Sequence, residues 1–225
     1  MFTGSIAALV TPFTDRGGID YAALDGLVDF HLQRGSDGLV VAGTTGESAA
    51  LSRPEWRDLV AAVIRRVNGA VPVLAGTGSA ATSTAVELTR QAGELGADGA
   101  LVVTPYYNRP MQAGLAAHFT AVAEASTIPV VLYNVPSRTA VDLLPATVET
   151  LSRHPRIVGI KEAKRESGRV EDLLARCGSG FSVLSGDDPS CLEAMQAGAN
   201  GVVSVAANVA PALMHELFSL AGEQD

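Results

Sequence analysis

The chain has 225 residues, enough for one large hydrophobic core, and its 24 acidic side chains outnumber its 16 lysines and arginines. The formal net charge of −8 argues against nucleic acid or an anionic membrane as a partner. Two cysteines, Cys177 and Cys191, are too few for a disulfide framework, and no apolar run approaches the ~18 residues that cross a bilayer. The start of the sequence, "MFTGSIAALVTPF", lacks the basic region of a signal peptide, so we expect a cytoplasmic protein.

Eight short apolar runs, rich in β-branched residues, predict strands along the whole chain. The runs are nearly continuous rather than alternating, as expected of parallel strands covered on both faces. They begin at Ser5, Gly38, Val71, Ala100, Ile128, Ile157, Phe181 and Gly201.

Helical spacing fills the intervals between these runs. Before the second helix, Ser52 and Glu55 predict a capping box around Pro54. The residues predicted to share one apolar face are Leu24, Leu27, Val28 and Leu32 in the first helix, and Leu59, Val63, Ile64 and Val67 in the second.

Three short loops repeat one pattern ahead of a strand: "GSDG" at Gly35, "GADG" at Gly96 and "GANG" at Gly198. In each, a glycine is predicted to end the helix in the left-handed region and a polar pair to turn the chain. Repetition of this unit favours a single-domain (β/α)₈ barrel, an α/β fold, over residues 1–225. The alternative is a doubly wound sheet, but "AGTGSAA" has Ala81 where the dinucleotide motif has its third glycine.

Side chains capable of chemistry follow the predicted strands at the ends where a barrel places its active site. "GTTGES" (43–48) follows the second strand, "TPYYNRP" (104–110) the fourth and "YNVPSRT" (133–139) the fifth; the sixth ends at Lys161 and the seventh in "SGDD" (185–188). The opposite ends carry little that could react. The sequence therefore predicts a site on one face of the barrel.

Lys161 ends an apolar strand, although burying an ammonium is costly. Either its head group reaches water past the core, or its amine is desolvated so that it stays neutral and attacks a carbonyl. Attack on a ketone requires proton transfer, for which Tyr133 lies on the neighbouring strand, with Thr44 and Tyr107 as hydroxyl relays. Taken singly, Tyr133 also fits a core tyrosine.

Carboxylate-binding groups are present in the same loops. Thr44, Thr45 and Gly46 offer hydroxyls and amides in a tight turn, and Arg138 offers a bidentate guanidinium. Alternatively, Arg138 is a solvated loop charge and "GTTGES" is an ordinary turn.

Asp188 precedes Pro189, as a helix N-cap precedes a proline at the first helical position, so we predict that Asp188 caps a helix. The four histidines are scattered without ligand spacing, so no metal is expected; they are His31, His118, His154 and His215.

The set "GTTGES", "TPYYNRP", "YNVPSRT", "IVGIKEA", "LSGDD" and "GVVSV" resembles the dihydrodipicolinate synthase family, within the pyruvate-dependent class I aldolases and lyases, from residue 1 to about residue 209. The resemblance implies a cofactor-free condensation of pyruvate with aspartate semialdehyde toward lysine and diaminopimelate. It implies a homo-oligomer, a dimer or tetramer, with Tyr106 and Tyr107 at the interface and Tyr107 reaching the neighbouring subunit's site. The implied catalytic residues are Lys161 (Schiff base), Tyr133, Thr44 and Tyr107, and the implied substrate-binding residues are Thr45, Arg138, Gly186 and Val203.

The sequence departs from the family pattern in two places. Lys164, Arg165 and Glu166 stand in a loop where the family has a small hydroxyl residue and a glycine, and we expect the added cations to favour neutral Lys161. The chain also ends at Asp225, whereas the family continues with further helices. Two alternatives follow: a sister lyase acting on N-acetylneuraminate or a 2-keto-3-deoxy sugar acid, for which Arg138 is not needed, or a truncated, non-catalytic barrel.

The resemblance also bears on feedback inhibition by lysine. The asparagine and glutamate that bind lysine in sensitive relatives correspond to Ala80 and Thr84, and two histidine positions correspond to Arg53 and Trp56. We therefore predict that this protein is insensitive to lysine.

Overall fold

A closed barrel of eight parallel strands in chain order forms the centre of the computed structural model, which describes residues 2–221. β8 pairs with β1 and completes the predicted (β/α)₈ architecture. The strands are β1 (Gly4–Ala8), β2 (Gly38–Val41), β3 (Val73–Gly76), β4 (Gly99–Val103), β5 (Val130–Asn134), β6 (Ile157–Glu162), β7 (Ser182–Ser185) and β8 (Gly201–Ser204). The helices are α1 (Tyr21–Gln33), α2 (Arg53–Val67), α3 (Thr82–Leu95), α4 (Gln112–Ala125), α5 (Pro136–Thr139), α6 (Pro145–Ser152), α7 (Arg169–Cys177), α8 (Cys191–Gln196) and α9 (Pro211–Ala221).

Each strand is buried on both faces, which explains why the apolar runs are continuous. In β2, Leu39 and Val41 pack outward with the helices, whereas Val40 packs in the barrel interior with Leu74 and Val203. Both faces of a strand therefore require apolar residues, and polar side chains collect where the strands end.

The helices pack as their apolar stripes predict. Leu24 and Val28 of α1 are buried, and α2 begins with the predicted capping box. The Ser52 hydroxyl accepts from the Glu55 backbone N–H at 3.4 Å, and the Glu55 carboxylate accepts from the Ser52 N–H at 2.8 Å. Among the helices described, none is long and apolar enough to cross a membrane.

The three repeated loops adopt the predicted geometry and add a contact that the sequence did not reveal. Gly35, Gly96 and Gly198 have φ values of 81°, 89° and 102°, in the left-handed region that favours glycine. The third residue of each loop accepts a backbone N–H from the strand before, at 2.8 Å. The pairs are Asp37 with Ser5, Asp98 with Val73, and Asn200 with Val183.

The prediction that Asp188 caps a helix is wrong. Asp187 is the cap, because its extended backbone lets its carboxylate accept from the Ser190 N–H at 3.2 Å. Asp188 is already inside the short 3₁₀ turn, and its Oδ2 accepts from the Val205 and Ala206 N–H groups at 3.0 and 2.9 Å. The side chain thereby joins the carboxyl ends of β7 and β8.

Candidate active site

Lys161 and Tyr133 face each other at the carboxyl ends of β6 and β5. The two residues are direct partners in the parallel ladder, so their side chains leave the sheet at the same level. Both are buried, Lys161 at 5% exposure, and the Lys161 Nζ lies 4.4 Å from the centroid of the Tyr133 ring. The ammonium therefore does not reach water, and the interpretation of Lys161 as a lysine with a solvated head group is wrong.

Burial lowers the pKa of Lys161 to about 8, because the neutral amine loses less hydration than the ammonium. The Arg138 guanidinium lowers the pKa further, and the Asp188 carboxylate opposes both effects. A substantial fraction of Lys161 is therefore a neutral nucleophile in mildly alkaline solution.

Tyr133 has the opposite shift. Burial raises the pKa of its phenol, and the Thr44 hydroxyl and the Arg138 charge offset only part of that shift. The phenol therefore stays protonated near neutral pH, as a proton donor beside the Lys161 amine must.

Thr44 and Thr45 lie in a tight loop after β2, which the close packing of Gly46 holds in place. A Cβ at Gly46 would come within 3.0 Å of the Leu9 carbonyl oxygen, and the Thr11 hydroxyl donates to the Gly46 carbonyl at 2.7 Å. The loop is therefore fixed against the end of β1, with Thr44 exposed at the rim beside Tyr133.

Two more of the predicted substrate-binding residues, Arg138 and Gly186, lie near Lys161, and a third, Val203, lies in the barrel interior. Arg138 lies on α5, directly after the Tyr133 strand, near enough to lower the pKa values of both Tyr133 and Lys161. A Cβ at Gly186 would come within 2.9 Å of the Lys161 Cε, so only glycine lets the backbone pass so close to the lysine. Val203 is buried in the barrel interior on β8.

Tyr107 is not part of this group within one chain. Its side chain is 93% exposed and its backbone φ is 72°, a left-handed conformation that is unusual for a tyrosine. Tyr106, in contrast, is half-buried and lines a cavity of about 540 Å³ that Thr44 and Arg138 also line. Ser48, Ala49, Arg53, Trp56 and Thr84 also line this cavity.

Behind the active site lies a buried ionic cluster that sequence reasoning missed. The Arg169 Nε donates to Glu162 at 3.0 Å, and its Nη2 donates to Asp142 at 2.9 Å and to the Leu143 carbonyl at 2.6 Å. Asn134, which follows Tyr133, donates to both Glu162 and Asp142. This ionic cluster fixes the ends of the two strands that carry Lys161 and Tyr133.

The cations of the loop after Lys161 are bound elsewhere, so the expectation that they favour neutral Lys161 is wrong. The Lys164 Nζ lies 3.0 Å from Asp142 and also pairs with Glu166. Arg165 donates two hydrogen bonds of 2.8 Å to Asp187. Because both charges are neutralised locally, burial and Arg138 are what lower the pKa of Lys161.

Within residues 2–221, no group of three or more histidine, cysteine or acidic side chains is arranged to hold a metal ion. The chemistry available at the site is that of an amine, a phenol, hydroxyls and a guanidinium. Such a set can form and protonate an imine between Lys161 and a carbonyl compound.

Comparison with known proteins identifies the family. The sequence model of the Dihydrodipicolinate synthetase family matches residues 1–225. The chain is 53% identical to the 4-hydroxy-tetrahydrodipicolinate synthase of Stutzerimonas stutzeri over 221 residues, which cover 98% of this chain and 76% of that protein. The chain belongs to the dihydrodipicolinate synthetase family.

Two solved structures have the same fold over the whole chain. The crystal structure of dihydrodipicolinate synthase from Aquifex aeolicus matches with a TM-score of 0.97 and 48% identity, covering 100% of this chain and 76% of that one. The chloride-inhibited enzyme from Acinetobacter baumannii, complexed with pyruvate, matches with a TM-score of 0.98 and 45% identity, covering 100% and 77%.

Proposed function

We propose that this member of the dihydrodipicolinate synthetase family uses Lys161 to bind pyruvate as a Schiff base and Tyr133 to transfer protons. The chain is a lyase that condenses pyruvate with L-aspartate semialdehyde to 4-hydroxy-tetrahydrodipicolinate, the first committed step of lysine and diaminopimelate biosynthesis. These roles are supported above all by the buried pair of Lys161 and Tyr133. The pKa of Lys161 is about 8, and its Nζ lies 4.4 Å from the centroid of the Tyr133 ring.

Imine formation begins with the neutral fraction of Lys161. The nitrogen lone pair forms a bond to the carbonyl carbon of pyruvate while the carbonyl π electrons move to oxygen, giving a carbinolamine. That oxygen takes up two protons, one from the nitrogen and one from a general acid, and leaves as water, while the nitrogen keeps its remaining proton as a protonated imine. Loss of a methyl proton then gives the enamine that attacks the aldehyde carbon of the semialdehyde.

Each of these steps moves a proton, and Tyr133 is the group beside the reacting nitrogen. Because its pKa is raised by burial, the phenol donates a proton to the departing hydroxyl and recovers it afterwards. Thr44, close to Tyr133, relays protons toward the rim of the barrel. We assign the outermost relay position to Tyr107 of a neighbouring subunit, since Tyr107 is almost fully exposed in its own chain.

The carboxylates of the substrates need donors on two sides of Lys161. We assign the pyruvate carboxylate to Thr45 and the adjoining loop, with the backbones of Gly186 and Val203 lining the pocket. We assign the semialdehyde carboxylate to Arg138, whose planar guanidinium suits bidentate binding. The pyruvate complex of the Acinetobacter baumannii relative supports a pyruvate site in this fold.

A coupled assay of the purified protein beside its Lys161→Ala variant tests these roles. We expect the wild type to convert pyruvate and aspartate semialdehyde and the variant to lose that activity while remaining folded. Arg138→Leu should raise the KM for the semialdehyde more than the KM for pyruvate. A sugar acid that outperforms aspartate semialdehyde in the same assay would contradict the substrate assignment.

We further propose that residues 1–225 act as one catalytic domain in the cytoplasm, as a homo-oligomer, a dimer or tetramer, built around Tyr106 and Tyr107. Support comes from the exposed apolar surface at Tyr107 and Met111, which are 93% and 84% exposed, because aromatic residues and methionine are enriched at interfaces. Sedimentation should show dimers or larger assemblies. Monomers with full activity would contradict the shared site.

A further inference from the structure

The Asp188 carboxylate has two oxygens, and the backbone contacts of the residue account for only one of them. Its Oδ2 accepts from the Val205 and Ala206 N–H groups at 3.0 and 2.9 Å, which anchors it between the ends of β7 and β8. Its Oδ1 is buried yet has no hydrogen-bond partner among the described residues. A buried carboxylate oxygen without a donor is costly, so an interaction that compensates for this cost is expected.

The segment that carries Asp188 crosses directly over Lys161. Leu184 is the ladder partner of Lys161, and the Gly186 backbone packs so tightly on the lysine stem that a Cβ there would lie 2.9 Å from the Lys161 Cε. Asp188 is two residues further along and is the largest favourable charge acting on the Lys161 ammonium.

Three groups of different kinds act on the Lys161 nitrogen. The Tyr133 ring on β5 lies 4.4 Å from it, the Arg138 cation on α5 disfavours its protonation, and the Asp188 carboxylate after β7 favours it. Glu162, next in the chain after Lys161, is bound by Arg169 in the ionic cluster behind the strand. Asp188 is therefore the anion placed to balance positive charge at the Lys161 nitrogen.

We infer that Asp188 is a positioning residue for the reaction, whose fixed carboxylate stabilises the protonated imine formed at the Lys161 nitrogen. The inference rests on the proposed role of Lys161 as the imine-forming residue. The amine reacts in its neutral form, but the imine that follows must carry a proton to withdraw electrons from the pyruvate methyl group. An anion held rigidly beside the nitrogen favours that cation without forming a bond to the substrate.

Asp188→Asn tests the inference, because asparagine keeps an oxygen for the Val205 and Ala206 N–H groups and removes only the charge. The measurement is the pH dependence of kcat/KM for pyruvate and of cyanoborohydride reduction of the imine, which requires its protonated form. Without the anion, both the lysine and the imine lose their protons at lower pH. The limb of kcat/KM that reports loss of the Lys161 proton and the limb of the reduction that reports loss of the imine proton should therefore both move to lower pH. We expect each shift to be about one pH unit.

Asp187→Asn is the matched control, since it makes the same chemical change one residue away, where the carboxylate binds Arg165. It should leave the two limbs in place. Unmoved limbs in Asp188→Asn, or an equal shift in Asp187→Asn, would overturn the inference. If Asp188→Asn does not fold, Asp188→Ser offers a hydroxyl acceptor in its place, with the same expected shift. Failure of the wild type to trap pyruvate at all would instead contradict the proposed function.

Discussion

Lys161 lowers the stability of the fold that carries it. Its pKa is about 8 in the folded protein and near 10.5 in an unfolded chain, so the folded state binds the proton more weakly. Below pH 8 both states are protonated and the full cost of burying the ammonium applies. Between pH 8 and pH 10.5 the folded state alone has released the proton, so stability rises with pH and the cost disappears.

Lys161→Met should therefore stabilise the protein. Methionine fills a similar volume without a charge, and the shift in the Lys161 pKa corresponds to about 3 kcal/mol in the free energy of unfolding near pH 7. Urea denaturation should show this gain at pH 7 and a much smaller one near pH 10. Lys164→Met, at a half-buried lysine whose ammonium is paired with Asp142 and Glu166, is the control and should show no gain. An equal gain at both pH values for Lys161→Met would contradict the account.

Tyr133→Phe isolates the phenol hydroxyl. The ring that packs 4.4 Å from the Lys161 Nζ remains, so folding and pyruvate binding should be largely retained. The loss of general acid–base catalysis should lower kcat by about 10²–10⁴-fold. Steady-state kinetics measures this loss. A decrease in kcat of less than a few fold would show that Tyr133 is a core residue and not the proton-transfer group.

At the level of single elements, the predicted strands, the capping box and the left-handed glycines agree with the structure because each depends on residues close together in the chain. The contacts that were missed join distant segments. Glu162 was open to prediction, since strand alternation turns it away from Lys161 toward the helices, where a buried carboxylate needs a cation. Nothing in the sequence identified Arg169 as that cation, or assigned the Asp188 contacts to β8.

The ionic cluster behind Lys161 should be sensitive to loss of one partner. Arg169→Met leaves the Glu162 carboxylate buried without its cation, which should cost about 3–5 kcal/mol in the free energy of unfolding. Arg176→Met is the matched control on the same helix. Its ion pairs with Glu149 and Asp172 are partly exposed and should be worth less than about 1 kcal/mol.

Denaturant unfolding of the two arginine variants compares a buried with an exposed ion pair directly. Adding Glu162→Gln to Arg169→Met should recover part of the loss, because the uncompensated charge is removed. Equal costs for Arg169→Met and Arg176→Met would show that the buried cluster does not hold the strand ends.

Across the whole molecule, the barrel brings the loops that follow β2, β4, β5, β6 and β7 from distant parts of the sequence to one rim, and Thr44 and Arg138 of the site also line the cavity. The cavity lining also contains Arg53, which pairs with Glu87 at 3.1 Å, and the neutral Thr84. Among the lining residues, Glu47 is the acidic one. The nearby Glu55 carboxylate already accepts a hydrogen bond from the Ser52 N–H in the capping box. The cavity lining therefore offers little to replace the hydration of a diammonium ligand.

Lysine should accordingly fail to inhibit the enzyme. The absence of a carboxylate at position 84 removes a charged partner, which typically costs about 2–5 kcal/mol in binding. Lysine titrated into the condensation assay should have no effect at submillimolar concentration, and Thr84→Glu should increase sensitivity. Half-inhibition of the wild type at submillimolar lysine would contradict the prediction.

The central claim is that Lys161 carries pyruvate as an imine. Incubation with pyruvate and borohydride, followed by proteolysis and mass spectrometry, tests it most directly. We predict one pyruvate-derived adduct on the peptide that contains Lys161, and none in Lys161→Ala. An adduct on another lysine, or no adduct on a folded wild-type protein, would contradict the account.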